Sequence, residues 1–209
     1  KIFMDFWDVP ADDPRRNREG TYFSKDYIIE NNRIKVIGLD TRYFRSELRG
    51  KSNAYKPNFD SDATILGQSQ WNWLEGVIEN SSADIVIILS SIQVLATTHP
   101  YEKWGNFPLE RDRLIKLIKK ASKKQTLVVI SGDRHRSGIY ENKDFIEITA
   151  SSLNKAASQN IETDPLLVGE TYPIKNYGIL DIRPSSNEIT VSLFDKDGIR
   201  LNSKTIDIF

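Results

Sequence analysis

Asp133 and His135 are the residues whose types and spacing point most directly to chemistry. They lie two positions apart, directly after the apolar run TLVVIS. In extended backbone, residues two apart point to the same side, so both side chains can face one ion while Arg134 faces away and Gly132 lets the chain turn closely past it. A carboxylate oxygen with an imidazole nitrogen suits Fe, Zn or Mn, and a second, harder cation could share the carboxylate. On spacing alone, the commoner interpretation is a turn aspartate beside a surface histidine.

Two other segments carry polar residues that could serve a site. Asp40 and Arg42 follow the apolar run that ends at Leu39. An arginine with a free guanidinium can bind phosphate with two hydrogen bonds, and an ion pair with Asp40 that fixes the loop is an equally good interpretation of Arg42. His99 lies in the loop segment TTHPYEKWGN. A lone loop histidine is usually solvated, and we expect His99 not to be a ligand.

The elements that must position these residues follow from hydrophobic periodicity. Three β-branched runs predict strands, the first from Ile34 to Leu39, the second in DIVIILSS and the third in TLVVISGD. Helical spacing predicts one helix over Gln68 to Asn80 and another around Leu114 to Ala121. Apolar strands that alternate with amphipathic helices predict a parallel sheet, because the crossovers are right-handed. The carboxyl ends of such strands meet where ligands bind.

The pattern changes after His135. The short segments FIEITA, YGILDIRP and EITVSLF alternate in polarity and are separated by turn signals. This pattern predicts that the C-terminal third is an antiparallel meander that extends the first sheet or packs on it.

Composition sets limits on the class of protein. The 209 residues are 39% hydrophobic, enough for a real core, and the 29 basic residues balance the 29 acidic ones. No overall field therefore attracts nucleic acid or an anionic membrane. The absence of cysteine excludes disulfides and thiolate metal sites. No apolar run approaches the roughly 20 residues that a membrane-spanning helix needs.

Eight segments follow one another along the chain: REGTYFS, VIGLDTRYFR, LGQSQWNWLE, IILSSIQVL, EKWGNFPLERDRL, VVISGDRHRSG, SSLNK and NYG. Together, and in this order, they resemble the alkaline phosphatase D-like (PhoD-like) metallophosphatases. The resemblance implies a four-layer α/β/β/α metallophosphoesterase fold and hydrolysis of phosphomonoesters or phosphodiesters by an activated water at two or more metal ions. It further implies Asp133 and His135 as metal ligands, since they match the Gly-Asp-x-His motif, with Fe and Ca, or Zn or Mn, as the ions. It also implies a periplasmic or secreted protein.

The resemblance is incomplete in one respect. The family's acidic Gly-Asp and Trp-Asp-Asp-His metal motifs would lie before the first residue, so we expect residues 1–209 to be the C-terminal part of one such domain and to have little activity alone. The partners implied are a small phosphate ester and the missing N-terminal part, without nucleic acid. The alternative function is a non-catalytic binding module. Trp104-Gly105-Asn106 departs from the family's acidic pattern, and this loop is left out of the predicted site.

Overall fold

The structure, a computed structural model, describes residues 2–157, 160 and 162–209. Two sheets, a short hairpin, three α-helices and three short 3-10 helices make up the regular structure of these residues. In chain order the elements are α1 (Ile2–Phe6), β1 (Phe23–Ile29), β2 (Asn32–Gly38), β3 (Arg49–Lys51), β4 (Ala54–Lys56), α2 (Gly67–Glu79), β5 (Ile85–Leu89), α3 (Pro108–Ala121), β6 (Thr126–Ser131), β7 (Ser137–Glu141), β8 (Ile146–Ala150), β9 (Asn176–Arg183), β10 (Glu188–Asp195) and β11 (Arg200–Asp207).

The larger sheet has six strands in the order β1-β2-β5-β6-β8-β7. Its centre is parallel, because β5 pairs in parallel with both β2 and β6, and β6 pairs in parallel with β8. The three predicted strands and both predicted helices are confirmed. The strand bodies are apolar on both faces because both faces of the sheet are covered.

Helices α2 and α3 cover one face of this sheet. Trp71 and Leu74 of α2 share a buried core with Leu114 of α3 and with Val86 and Val129 of the strands. Each of these side chains is at most 1% exposed. This core holds the helical layer against the parallel strands.

The antiparallel sheet β11-β10-β9 covers the other face. Val191 and Leu193 of β10 are buried in a second core with Ile85, Ile87 and Val128 of the larger sheet. The described residues therefore form three layers, helices, mixed sheet and antiparallel sheet, of the predicted α/β/β/α sandwich.

The predicted C-terminal meander needs one correction. FIEITA forms β8, which lies inside the larger sheet, parallel to β6 and antiparallel to β7. Its alternation of polar and apolar residues predicted a strand with one solvent-exposed face, but Glu147 and Thr149 are both buried. YGILDIRP and EITVSLF do form an antiparallel pair, as predicted.

Candidate active site at the carboxyl ends of the parallel strands

The carboxyl ends of β2, β5 and β6 lie together at one edge of the larger sheet. The Leu39 N–H donates to the Leu89 carbonyl at 3.0 Å, and the Ser90 N–H donates to the Ile130 carbonyl at 2.8 Å. The three following loops therefore start side by side, as predicted. A cleft of about 390 Å³ opens here, lined by residues that include Thr21, Gly38, Leu39, Ser90, Ser91, Ser131 and Gly132.

Asp40 organises the loop after β2. Its carboxylate accepts hydrogen bonds from the Thr21 N–H at 2.8 Å, the Tyr43 N–H at 2.9 Å and the Arg42 N–H at 3.0 Å. Burial raises the pKa of Asp40, but these hydrogen bonds outweigh burial and leave the pKa below its ordinary value. Asp40 therefore fixes the loop through backbone groups and does not pair with the Arg42 guanidinium.

The guanidinium of Arg42 lies between two carboxylates. Nη1 donates to both oxygens of Glu102, at 3.0 and 2.8 Å, and Nη2 lies 3.7 Å from Oδ1 of Asp133. The Arg42 side chain is 50% exposed, whereas that of Glu102 is 11% exposed. The interpretation of Arg42 as the ion-pair partner of Asp40 is wrong. Arg42 instead links the loop after β2 to Glu102 in the loop after β5, and lies at ion-pair distance from Asp133 in the loop after β6.

The loop after β6 carries the predicted metal ligands in an unexpected conformation. Asp133 has φ 67° and His135 has φ 53°, so both residues are left-handed and the extended backbone assumed from their spacing is absent. The tight turn also does not depend on Gly132, which is not among the described glycines of positive φ. Aspartate and histidine adopt this conformation more readily than most residues.

His135 lies apart from the other two predicted site residues. Its side chain is exposed, and its carbonyl accepts a hydrogen bond from the Ala157 N–H at 2.7 Å. Within the described part of the chain, no hydrogen bond or ion pair joins the imidazole to Asp133 or Arg42. The structure thus brings Arg42 and Asp133 together, while His135 is placed on the same loop without direct contact.

Ser90 and Ser91 connect the strand ends to their surroundings. The Ser90 hydroxyl donates to the Ile92 carbonyl at 2.7 Å and accepts from the Trp104 Nε1–H at 3.0 Å. The hydroxyls of Ser91 and Thr41 are hydrogen-bonded to each other. Both serines therefore stabilise the loops around the site.

His99 is buried, so the expectation of a solvated loop histidine is wrong. Its side chain is 5% exposed, and Nδ1 accepts a hydrogen bond from the Tyr101 N–H at 3.2 Å. Burial, followed by the positive charges of Arg134, Lys103 and Arg136, lowers the pKa of His99 to about 2. A buried, neutral imidazole is thus part of the packing of the loop between β5 and α3.

Glu102 is the site residue that the sequence did not reveal. It lies in the loop that was set aside because Trp104-Gly105-Asn106 departs from the family's pattern. Its partner Arg42 is 60 residues away. The available signal was an acidic residue two positions before a tryptophan, which is too common to identify a partner so distant in sequence.

The donor types at this edge fit a metal ion only in part. A carboxylate and an imidazole are suitable ligands. Within the described residues, however, no group of three or more His, Asp or Glu side chains converges on one point. A metal ion bound by Asp133 and His135 would therefore need further ligands.

Comparison with known proteins identifies the family. A family model described as PhoD-like phosphatase matches residues 29–178. The chain belongs to the PhoD-like phosphatase family. The resemblance inferred from the eight segments is thereby confirmed. No curated protein sequence gives a significant match to this PhoD-like chain.

Solved structures with similar folds include two phosphatases. The PhoD-like chain is similar to a structure described as PhoD (TM-score 0.62, 19% identity over 88% of this chain) and to the purple acid phosphatase PPD1 from yellow lupin (Lupinus luteus) seeds (TM-score 0.55, 18% identity over 95%). It is also similar to GAP50, described as the anchor in the inner membrane complex of Plasmodium (TM-score 0.66, 14% identity over 91%). The predicted metallophosphoesterase fold is confirmed.

The PhoD-like chain is shorter than these proteins. It spans 44% of the PhoD chain, 55% of GAP50 and 34% of the lupin phosphatase. In the part of the chain that the structure describes, no helix has the length and apolar character needed to cross a membrane.

Proposed function

We propose that the full-length protein hydrolyses phosphate esters in a metal-dependent reaction, with Asp133 and His135 among the metal ligands and Arg42 as a phosphate contact. The observation that carries this proposal is the half-exposed Arg42 guanidinium 3.7 Å from the Asp133 carboxylate, at the carboxyl ends of parallel strands. Ligands of open α/β sheets bind at such an edge. Membership of the PhoD-like phosphatase family supports the reaction class.

Each side chain has a defined task in this proposal. Asp133 and His135 hold metal ions together with ligands from an upstream segment of the same domain. Arg42 donates hydrogen bonds to phosphate oxygens and offsets the charge that accumulates on them during transfer. Metal ions at such a site supply positive charge and an activated water. No side chain of the protein needs to form a covalent bond with phosphorus.

The family resemblance extends the proposal to ions and location. Fe with Ca, or Zn and Mn, are the ions that it implies, and the protein would act outside the cytoplasm. Both phosphomonoesters and phosphodiesters are candidate substrates. Residues 1–209 would be the C-terminal part of one catalytic domain.

A non-catalytic module is the second candidate. GAP50, which shares the fold, is described as an anchor. An anchor with this fold supports the module as an alternative, and metal binding by Asp133 and His135 would distinguish the two functions.

The test is hydrolysis by the purified full-length protein. We expect turnover of p-nitrophenyl phosphate or bis(p-nitrophenyl) phosphate that is abolished by chelators and restored by added metal. Asp133→Asn should lower kcat/KM by at least about 100-fold, since even residues that only support a metal ligand contribute about 10- to 100-fold. Asp197→Asn, in the exposed turn before β11, is the control and should leave turnover unchanged. Absence of turnover with every metal would favour the module.

A further inference from the structure

Glu102 holds Arg42 through two hydrogen bonds from one nitrogen. Oε1 and Oε2 accept from Nη1 at 3.0 and 2.8 Å. Hydrogen bonds between two ionised groups are stronger than hydrogen bonds between neutral groups. Because the guanidinium is planar and rigid, holding Nη1 in place also fixes the orientation of Nη2 and Nε. Arg42 is half exposed, while Glu102 is largely buried. The buried carboxylate therefore restricts a side chain that would otherwise be mobile in solvent.

The loop that carries Glu102 is itself fixed to the sheet. The next residue but one, Trp104, is fully buried, and its backbone N–H donates to the Gln93 carbonyl at 2.9 Å. The Trp104 indole N–H donates to Ser90 at the end of β5. The Lys103 N–H donates to the Asn106 side chain at 2.7 Å, which closes the turn. Glu102 thus has a backbone anchored to the same strand end that borders the site.

One edge of the Arg42 guanidinium is left for a ligand. Within the described residues, every hydrogen bond of this side chain runs from Nη1 to Glu102. Nη2 is 3.7 Å from Asp133, beyond hydrogen-bonding distance, and Nε forms no hydrogen bond. Nη2 and Nε together form the fork that binds two oxygens of one phosphoryl group.

We propose that Glu102 is the positioning residue for Arg42, holding the guanidinium so that its Nη2 and Nε edge faces the phosphoryl group next to Asp133. This inference rests on the proposed function, because it assigns a phosphate to the site. Arg45, whose Nε lies 3.4 Å from Oε1 of Glu102, contacts the same carboxylate from a second side. Glu102 acts only through Arg42 and does not touch the phosphate.

The direction in which Glu102→Gln changes phosphate affinity distinguishes a positioning role of Glu102 from a purely electrostatic one. Removing the negative charge of Glu102 makes the site more positive, so a purely electrostatic role predicts that Glu102→Gln binds phosphate more tightly. A positioning role predicts weaker binding, because the amide releases the guanidinium. We expect the Kd for inorganic phosphate to rise about tenfold, as for loss of one well-placed charged hydrogen bond.

The experiment is titration calorimetry of metal-loaded full-length protein with inorganic phosphate, for wild type, Glu102→Gln, Arg42→Ala and the double variant. Arg42→Ala should weaken binding, and Glu102→Gln should cause no further loss in that background. Glu75→Gln breaks the distant ion pair of Glu75 with Arg113, 2.7 Å long, and is the matched control that should bind like wild type. Thermal melting identifies any variant that does not fold, and Glu102→Asp then replaces Glu102→Gln with the same expected direction.

Three results would overturn the positioning role. The first is unchanged or tighter phosphate binding by Glu102→Gln, and the second is no phosphate binding by the wild type. The third is an equal loss of phosphate affinity on Glu102→Gln whether residue 42 is arginine or alanine. Phosphate binding that depends on Glu102 without any ester hydrolysis would contradict the proposed function alone. The two proposals can therefore fail separately.

Discussion

At the scale of single residues, the loop after β6 concentrates unusual backbone geometry. Asp133 and His135 are two of the five non-glycine residues with positive φ in the described chain. A left-handed residue costs about 1–2 kcal/mol for most L-amino acids, less for aspartate. Such geometry clusters at functional sites. The sequence motif singled out this pair as candidate ligands, but their spacing could not reveal the left-handed backbone on which they lie.

Gly132 should tolerate a side chain despite its place in the motif. An added Cβ would lie 3.6 Å from the Ser151 Cβ and 3.8 Å from the Ser91 carbonyl oxygen, which are ordinary contacts. Gly132→Ala should therefore change the free energy of unfolding by less than about 1 kcal/mol. Gly20→Ala is the contrast, because Gly20 has φ 76° and its Cβ would lie 2.8 Å from Phe44.

Urea denaturation of the two glycine variants checks this expectation. Gly20→Ala should be destabilised by more than about 1 kcal/mol, since both strain and a close contact oppose it. A larger loss for Gly132→Ala than for Gly20→Ala would show that the turn after β6 needs glycine after all.

His99 should make stability depend on pH. Burial, with the neighbouring charges of Arg134 and Lys103, lowers its pKa to about 2 in the folded state, whereas an unfolded histidine has a pKa of about 6.5. Below pH ~6.5, His99 therefore binds a proton in the unfolded chain but stays neutral in the folded chain. Stability from neutral His99 is complete above that pH and falls below it by up to about 1.4 kcal/mol per pH unit.

The measurement compares the free energy of unfolding between pH 7 and pH 5 for wild type, His99→Gln and Ser69→Ala. His99→Gln should lose most of the pH-dependent slope. The control Ser69→Ala changes an exposed residue of α2 that carries no titratable group and should keep the slope. Equal slopes for wild type and His99→Gln would contradict a buried neutral imidazole.

At the scale of elements, Glu110 fastens the two helices together. This buried residue of α3 accepts hydrogen bonds from the Trp71 indole N–H, the Ile65 N–H and the Thr64 hydroxyl, each at 2.8 Å. Thr64 and Ile65 precede α2, so one carboxylate sets where that helix begins. Removing it leaves buried donors without acceptors, which costs about 1–3 kcal/mol per group.

Glu110→Ala should lower the free energy of unfolding by about 3 kcal/mol or more, because several buried donors lose their partner together. Glu79→Ala is the matched control, since Glu79 on α2 pairs with Lys120 of α3 in solvent and exposed pairs contribute only about 0–1 kcal/mol. Chemical denaturation measures both. Similar losses for the two variants would mean that Glu110 contributes no more than a surface charge.

The strands and helices that the sequence predicted correctly are those whose apolar residues form a continuous run or a regular helical repeat. Strands β2, β5 and β6 and helices α2 and α3 bury one or both faces, so their periodicity is clear. β1 was missed because all but the first of its residues are exposed. β8 was assigned to the wrong sheet because Glu147 is buried, where it accepts hydrogen bonds from the N–H groups of Val94 and Leu95. Burial of a charged residue cannot be seen in a polarity pattern.

At the scale of the whole molecule, the site edge receives loops from both sheets. Gly132 after β6 lies next to Ser151 after β8. Ser152 in turn pairs with Asn176, the first residue of β9, whose N–H donates to the Ser152 carbonyl at 3.1 Å. The antiparallel sheet thus approaches the loop that carries Asp133 and His135.

The most direct test of the account is the metal content of full-length protein, measured by mass spectrometry beside thermal melting. We expect roughly two or more metal ions per wild-type chain, because the proposed reaction uses a site of at least two metal ions. Asp133→Asn removes one negative charge without changing shape and should lose metal and turnover while remaining folded. His135→Ala should also lose metal, with activity partly restored by excess metal. Full metal stoichiometry and full activity in both variants would contradict the assignment of this loop as a metal site.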